Sequence, residues 1–548
     1  MNKVFLFALA VSFLLFSCGP PNQDEEQGKT VFKYNEPGGI SSLDPAFSRN
    51  IENVWAVQQL FNGLVQMNQD LKVMPCIAKS WEVSEDGTVY TFQLRDDVFF
   101  HDHVQFLEGK GRRVTAHDFV YSFWRIIDEE VASPGAYIFN YLDKSERSNY
   151  TGFVAEDDFT FKIYLRQSFP PFLGLLTMSY CSVVPKEIVE FYGNDFRRNP
   201  VGSGPFCFKV WKEGEKLVYV KNDNYFEMEN GQRLPYLDAV SISFIKDPQV
   251  AFLDFIRGNY DFKSGLNATY KDEILTQSGE LQEGYKGKFV LQKEPWLETI
   301  YLGLLVDGNS DLVKNSPTKL RALRQAINYG FDREKMVKYM RNNIGSPATS
   351  GFIPKGMPSF DAQKVKGYYY NPEKAKDLLK LSGYPAGEGL PTISIATTAM
   401  YQYLCEYIQH ELNDLGMSVE IDVIDEAAFR EMVAQSKLPA FTKSWIADYP
   451  DAENFLTLFH SNNFCPQGPN YTHFSNYEFD KLYEMALDEI DDSLRYGYYQ
   501  QMDQLIIEDA PVVPLYYNEV VRFVQNNIQG LECNAMNMLT LKRVRKTN

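Results

Sequence analysis

The chain has 548 residues, a hydrophobic fraction of 44% and a formal net charge of −18 at pH 7. This length exceeds what one hydrophobic core supports and predicts several domains. The acidic excess excludes nucleic acid as a partner, because binding to phosphates requires a concentration of Lys and Arg that the sequence lacks. Beyond the N-terminal segment, no window approaches the ~20 uninterrupted apolar residues of a membrane-spanning helix.

The N-terminal segment has the pattern of a lipoprotein export signal. Lys3 supplies the positive residue, Val4 to Phe16 the apolar run, and Ser17 the small residue before Cys18. Because this run is too short to span a bilayer, we expect cleavage before Cys18 rather than a retained anchor. Lipid on Cys18 would then tether the mature chain to a membrane through a polar, flexible stalk. The alternative is a secreted protein cut before an incidental cysteine.

The first half of the mature chain alternates short strand patterns with turns and a few helices. An Asp86-Gly87 pair separates two β-rich runs that begin at Trp81 and Val89, which predicts a hairpin. Thr115 is predicted to cap a helix whose apolar residues follow at helical spacing. Further strands are predicted at residues 159–165, 217–220 and 240–245.

After about Glu298 the pattern changes to strands separated by longer helices. The predicted elements are helices that begin at Ser316-Pro317 and Asn371-Pro372, strands 393–396 and 419–423 on either side of a helix 401–415, a helix around Phe479, and strand-rich residues 512–524. This β-α-β alternation predicts a mainly parallel sheet covered by helices.

The sequence contains no recognisable catalytic signature. His410-Glu411 lacks the second His of a zinc-protease helix, and Gly202-Ser203-Gly204 lacks the spacing of a nucleophile elbow. His101 and His103 flank Asp102, but we expect a solvated turn there rather than a metal site. The six cysteines after Cys18 show no C-x-x-C spacing and are expected to be small buried residues. We therefore expect no metal, no cofactor and no enzymatic activity, with a secreted hydrolase that uses paired carboxylates as a minor alternative.

Five segments, in order along the chain, carry a resemblance to one protein family. They are Leu43-Asp44-Pro45 followed by Gln59 to Leu64, the run from Pro75 to Arg95, the run from Val114 to Arg125, Asn199 to Phe206, and Trp445 to Asp451. Together they make the chain resemble the family 5 extracellular solute-binding proteins, which are the oligopeptide- and dipeptide-binding lipoproteins of ATP-driven (ABC) importers. The match extends from about Asn35 to Tyr517, nearly the whole mature chain.

The resemblance implies an α/β, two-lobed periplasmic-binding-protein fold of class II, in its large form with an extra subdomain. Its expected parts are a signal peptide at 1–17, a lipidated stalk at 18–28, a discontinuous lobe I at 29–50, 184–298 and 517–548, an extra subdomain of lobe I at 51–183, and lobe II at 299–516. The change of pattern near Glu298 independently supports the cut between the lobes.

The resemblance also implies a function. The protein would capture short peptides in a hinge-closing cleft and deliver them to an ABC permease, as a lipid-anchored monomer of the cell envelope. Another solute, such as an oligosaccharide or a metal chelate, is the alternative within the same fold.

The site residues follow from the same resemblance. Asp448 is expected to bind the peptide's α-ammonium through charge-assisted hydrogen bonds, and extended backbone nearby to pair with the peptide as a strand. The full set expected at the ligand is Gly39, Ile40, Ser41, Tyr137, Ser444, Trp445, Ile446, Asp448 and Tyr449. The alternative for Asp448 is a turn carboxylate, although Asp451 is better placed to cap the helix that begins near Ala452.

Overall fold

The computed structural model describes residues 28–145, 152–267, 270–314 and 316–547. The predicted signal peptide, the proposed lipid site Cys18 and all of the stalk except Gly28 lie outside the described residues. Within the described ranges, no helix has both the length and the apolar character that crossing a membrane requires.

The described strands are β1 (Val31–Asn35), β2 (Val65–Met67), β3 (Val73–Pro75), β4 (Ala78–Val83), β5 (Val89–Leu94), β6 (Phe153–Ala155), β7 (Thr160–Tyr164), β8 (Phe206–Lys212), β9 (Lys216–Lys221), β10 (Met228–Glu229), β11 (Gln232–Arg233), β12 (Ala239–Ser243), β13 (Phe262–Ser264), β14 (Phe289–Leu304), β15 (Ser346–Pro347), β16 (Ile393–Thr397), β17 (Val419–Val423), β18 (Ala440–Ile446), β19 (Val512–Gln525), β20 (Ile528–Gln529) and β21 (Arg545–Lys546). The described helices are α1 (Ile51–Val57), α2 (Ala116–Ile126), α3 (Phe172–Leu175), α4 (Lys186–Tyr192), α5 (Pro248–Ile256), α6 (Lys271–Ile274), α7 (Asp311–Lys314), α8 (Arg321–Tyr329), α9 (Arg333–Arg341), α10 (Pro372–Leu381), α11 (Gln402–Asn413), α12 (Glu426–Ala434), α13 (Glu453–Leu456), α14 (Tyr477–Asp488) and α15 (Asp492–Asp509).

Local signals in the sequence located several of these elements. The predicted hairpin is β4 and β5, which pair antiparallel around the Asp86-Gly87 turn. Thr115 and Asp118 form a reciprocal capping box at the start of α2, so the predicted cap is confirmed. The helix predicted from Ser316 is interrupted: Ser316 caps a single 3₁₀ turn, and extended backbone at Leu320 separates that turn from α8.

Eleven strands form one large sheet in the order β17-β16-β18-β14-β19-β13-β1-β12-β9-β8, with β15 joined to β19. β16 is parallel to β17 and β18, and β1 is parallel to β12 and β13, whereas the central pairings of β14 with β18 and β19 are antiparallel. The prediction of a mainly parallel sheet is therefore wrong. Local β-α-β alternation could not reveal that two long strands would join both ends of the sheet through antiparallel pairing.

The two central strands, β14 and β19, have 16 and 14 residues and reach both halves of the sheet. β14 contacts β18 on one side, while the far end of β19 contacts β13. The register between β14 and β19 shifts between Pro295 and Thr299, and Thr299 pairs with Tyr517. The predicted lobe boundaries lie next to each other at this irregularity, and the division into lobes stays a prediction.

A second, four-stranded sheet has the order β4-β5-β7-β6 and packs against α2. Aromatic rings fill the space between them: the Phe123 ring centroid lies 5.1 Å from Phe139 and 5.4 Å from Phe153. Buried aromatic area of this kind stabilises the unit that forms one wall of the cavity described below.

The first histidine after β5 is not in a solvated turn, contrary to the prediction. His101 is buried, and its Nε2 lies 3.0 Å from the carbonyl oxygen of Gly204. Burial lowers the pKa of His101 to about 4, so the ring is neutral and structural. The described ranges hold no group of three or more His, Cys, Asp or Glu residues placed to bind a metal ion.

Candidate functional site

A cavity of about 1230 Å³ opens beside the central strands. Its walls come from several parts of the fold: residues 48–76, residues 134–182, Trp296 on β14, residues 532–543 near the C-terminus, and on the opposite side Arg430 with residues 446–448. The volume exceeds that of a typical small-molecule site and suits a ligand of several residues.

Asp448 reaches this cavity because β18 ends two residues earlier, at Ile446. The turn that follows is held by Asn454. Its Oδ1 accepts hydrogen bonds from the Trp445 indole at 2.9 Å and from the Asp448 backbone N–H at 3.3 Å. The Asn454 amide in turn donates to the Asp448 carboxylate at 3.5 Å. Asn454 thus fixes the direction of the Asp448 side chain.

The Asp448 side chain is solvent-exposed where it faces the cavity, while protein atoms pack densely around its carboxyl on the other sides. This enclosure raises the pKa of the carboxyl, and hydrogen bonding from Asn454 and Tyr137 opposes the rise. Within the described residues, no basic side chain contributes to the pKa of Asp448 or forms an ion pair with it. The site therefore presents an enclosed carboxylate without a cationic partner.

Two tyrosines border the same part of the cavity. Burial, followed by the nearby Asp448 charge, raises the pKa of Tyr180 to about 12 and raises that of Tyr137 further. The Tyr137 hydroxyl lies 3.7 Å from the Met178 sulfur. Both phenols stay protonated at neutral pH, so they supply hydrogen-bond donors and flat apolar walls beside the carboxylate.

Cations also line the cavity. Lys542 and Arg543 are paired with Glu227 and Glu229, each at 2.7 Å, and so are neutralised. Arg430 is paired with Glu426 at 2.8 Å.

Arg49 has no ion-pair partner within the described ranges. Its charge acts on Tyr180 and on Tyr471, where it lowers the phenol pKa against the larger effect of burial. The charges of Asp448 and Arg49 therefore both affect the pKa of Tyr180. The cavity offers an anion and a cation to one ligand.

Of the nine residues predicted at the ligand, Tyr137, Ile446 and Asp448 line the cavity. Ser444 and Trp445 are not among the lining residues; they lie in β18 and pair with Ile300 and Thr299 of β14. The Trp445 side chain instead supports Asn454. Their backbone lies directly before Ile446, and their role in binding the ligand stays a prediction.

The remaining four predicted residues also lie away from the cavity wall. Tyr449 is buried in the core with its hydroxyl bonded to Glu453, since it follows Asp448 and points to the other face of the turn. Gly39, Ile40 and Ser41 lie behind α1, where the Ser41 N–H donates to Asn53 Oδ1 at 3.1 Å. None of these three residues is among those that line the cavity.

Sequence reasoning missed three residues that the fold brings to the site: Arg49, Tyr180 and Asn454. None belongs to a motif with chemistry of its own. The only sequence signal was the closeness of Asn454 to the segment from Trp445 to Asp451, which did not reveal its role.

A match to a family model identifies the protein family of this chain. The model of the bacterial extracellular solute-binding proteins, family 5 Middle, matches residues 72–464. The chain belongs to this family. The resemblance predicted from the sequence is confirmed.

Named relatives of this family 5 protein match over nearly its full length. The dipeptide-binding protein DppE of Bacillus subtilis (strain 168) is 24% identical over 98% of this chain and 97% of its own. Heme-binding protein A of Haemophilus influenzae is 27% identical over 84% of this chain and 81% of its own.

A solved structure of another family 5 protein has the same fold. The ABC transporter-associated periplasmic binding protein DppA from Helicobacter pylori, in complex with the peptide STSA, is 26% identical. It superposes with a TM-score of 0.76 and covers 95% of this chain and 99% of its own. The predicted α/β periplasmic-binding-protein fold is therefore confirmed.

Proposed function

We propose that this chain is the substrate-binding lipoprotein of an ABC importer that captures short peptides and delivers them to a membrane permease. One observation carries the proposal: Asp448 is an enclosed carboxylate that faces a large cavity without a cationic partner among the described residues. The dipeptide-binding relative and the peptide-bound neighbour support the choice of peptide as the solute.

Binding would begin with the peptide's α-ammonium at Asp448. An enclosed carboxylate carries a desolvation cost that an incoming ammonium offsets through charge-assisted hydrogen bonds. The Tyr137 hydroxyl, which already interacts with Asp448, would help to orient the first peptide residue. Arg49 is the proposed partner of the peptide's carboxylate.

The edge of β18 would hold the peptide backbone. β14 occupies one edge of β18 along its whole length, while β16 reaches the other edge only at the pair Ala396–Phe441. Beyond Phe441, within the described residues, that second edge has no strand neighbour as it approaches Ile446. An extended peptide could pair there, so that affinity comes from main-chain bonds common to all peptides.

The protein is proposed to act without catalysis or cofactor, as a monomer held at the cell envelope by lipid on Cys18. Closure of the lobes around a ligand would present the loaded form to the permease. A ligand can shift this equilibrium only by the difference between its affinities for the closed and open forms, which contacts from both cavity walls would supply.

Calorimetry on a two-by-two set tests the ammonium site. Asp448→Ala should weaken binding of a free-amino peptide by roughly 30-fold or more, because losing one partner of a buried charged pair costs about 2–5 kcal/mol. An N-acetylated peptide should bind weakly to the wild type and should distinguish little between the wild type and Asp448→Ala. Asp70→Asn is the matched control, since Asp70 is an exposed carboxylate that lines the same cavity.

Independent effects of acetylation and mutation would show that Asp448 does not bind the ammonium. Native mass spectrometry of the purified protein tests the alternative that the solute is not a peptide. The heme-binding relative makes a porphyrin one specific candidate. A co-purified mass that matches a porphyrin, a sugar or a metal chelate would contradict the proposed peptide ligand.

A further inference from the structure

Away from the residues that line the cavity, four polar side chains meet at one point: Asp307, Ser436, Cys465 and His473. His473 Nε2 lies 3.6 Å from the Cys465 sulfur and 2.8 Å from the Ser436 hydroxyl. The Ser436 oxygen is 2.8 Å from the same sulfur. On the other side of the ring, His473 Nδ1 lies 3.4 Å from Asp307 Oδ2.

The geometry is that of a proton relay and not of a metal chelate. Asp307 and Cys465 approach opposite nitrogens of the imidazole, so a single metal ion could not bind both of them together with His473. A thiol, an imidazole and a carboxylate in this order are the arrangement that activates a cysteine nucleophile. The Phe464 ring stacks on the His473 ring at 4.6 Å and restricts its orientation.

The backbone also holds this cluster in place. Ser436 and His473 both adopt left-handed conformations, each with φ of 52°, although neither residue is a glycine. Such conformations are uncommon for non-glycine residues, and they persist only where the surrounding structure fixes them. Two of the four residues in the cluster therefore have a left-handed backbone conformation that is uncommon for their residue types.

The charges and hydrogen bonds around Cys465 give it a different pKa shift from that of the other described cysteines. Burial alone would raise its pKa, but hydrogen bonds from His473 and Ser436 and the His473 charge outweigh burial and lower it. The pKa of His473 is raised, first by its hydrogen bond with Cys465 and also by Asp307. The other groups that interact electrostatically with Cys465 are Lys443 and Tyr471.

The five remaining described thiols have raised pKa values, mainly because of burial: Cys76, Cys181, Cys207, Cys405 and Cys533. All six are free cysteines, and Cys207 is more exposed than Cys465. Exposure alone would therefore favour reaction at Cys207, whereas the relay favours Cys465.

We propose that Cys465 is held as a thiolate by His473 and Asp307 and is the preferred site in the described chain for oxidation by small peroxides. The thiolate sulfur attacks one oxygen of hydrogen peroxide, the S–O bond forms and the O–O bond breaks. The sulfur is oxidised to a sulfenic acid and the peroxide is reduced. The departing hydroxide takes the proton of the His473 imidazolium and leaves as water.

The position of the cluster favours small reagents. Cys465 is only 4% exposed, but the side chains of His473 and Asp307 are 14% and 26% exposed, so the relay lies just beneath the surface. The proposed reactivity of Cys465 does not depend on the ligand cavity or on the proposed peptide binding.

Peptide mapping by mass spectrometry tests the proposal on the full chain. The folded protein is exposed to limiting hydrogen peroxide with a sulfenic-acid trap, and separately to iodoacetamide, at pH 6 to 9. At pH 7 Cys465 should be modified at least about 10-fold faster than Cys207, because the thiolate and not the thiol is the nucleophile. Cys207→Ser is the control and should leave the Cys465 rate unchanged.

The pH profile separates activation from simple accessibility. In the wild type the Cys465 rate should level off at a lower pH than in His473→Gln, which should react more slowly at pH 7 and should keep rising towards pH 9. Asp307→Asn should give a smaller loss in the same direction, and this variant decides the matter if His473→Gln does not fold. Equal rates at Cys465 and Cys207, or an Asp307→Asn profile identical to the wild type, would overturn the proposal.

Discussion

At the scale of single residues, this protein places several carboxyl groups where water cannot stabilise their charge. Glu453 is the clearest case: it is buried at the start of α13, and the hydroxyls of Tyr449 and Tyr483 donate to its two oxygens. Burial raises its pKa to about 7, against the opposing effect of the two hydroxyls. Its charge state therefore changes in the physiological range.

The stability of the fold should depend on pH through Glu453. Because its folded-state pKa is raised above the ordinary 4.5, its stabilising contribution is complete below that value and is lost as the pH rises through about 7. Between pH 5 and pH 8 the unfolding free energy of the wild type should fall by about 2–3 kcal/mol more than that of Glu453→Gln. Urea unfolding at both pH values measures the difference. Glu484→Gln, an exposed change on α14, should keep the wild-type slope.

A second residue-scale prediction concerns Arg49. If it binds the peptide's carboxylate, Arg49→Gln should weaken binding of a free-acid peptide by about 10-fold, and C-terminal amidation should have little further effect on the variant. Calorimetry with the free-acid and the amidated peptide gives the comparison. Arg430→Gln is the matched control, because Arg430 lines the same cavity but is already paired with Glu426. A loss of affinity that is equal for both peptides would assign Arg49 a purely structural role.

At the scale of elements, the turn before β8 shows why small residues recur in one segment. Gly202 and Gly204 lie directly against the backbone that follows α1. A Cβ at Gly204 would lie 2.3 Å from the Leu60 carbonyl carbon and 2.6 Å from the Phe61 nitrogen. Because both neighbours are backbone atoms, they cannot move aside as a side chain would.

Gly204→Ala should therefore destabilise the protein by about 3 kcal/mol or more, at the upper end of overpacking effects. Gly284→Ala is the control: no atom lies within 4 Å of its added Cβ, and it should change stability by less than about 0.5 kcal/mol. Thermal unfolding of the two variants provides the measurement. If Gly204→Ala lost as little stability as Gly284→Ala, the close approach at Gly204 would relax without cost.

At the scale of the whole molecule, two long strands connect the halves of the sheet, and the cavity lies beside them. The register shift next to the Thr299–Tyr517 pair is where the pairing of these strands is least regular. Motion concentrated there would change the width of the cavity while leaving both halves intact.

Small-angle scattering should detect this motion. A saturating peptide should reduce the radius of gyration of the wild type, because contacts from both walls favour the closed form. Asp448→Ala at the same peptide concentration should show no compaction. Tight binding measured by calorimetry without any change in the radius of gyration would contradict hinge closure.

Sequence and structure contributed differently at each of these scales. The hairpin around Asp86-Gly87 and the cap at Thr115 were predictable because turn and capping preferences act over three or four residues. The family was predictable because several short segments occur in a fixed order. Within the site, Asp448 was identified by its motif, whereas Tyr449, its neighbour, points to the core, where its hydroxyl bonds to Glu453.

The sequence by itself determined the class of protein, several helices and strands, and one carboxylate at the cavity. The tertiary structure alone decided the antiparallel centre of the sheet, the partners Asn454 and Arg49, and the relay of Asp307, Cys465 and His473. The sheet pairing, the approach of Arg49 to Tyr180 and the contact of Asp307 with His473 join residues far apart in the chain, and local preferences carry no information about which distant side chains will meet. Only the packing of complete elements sets those distances, and with them the charge state of each buried group.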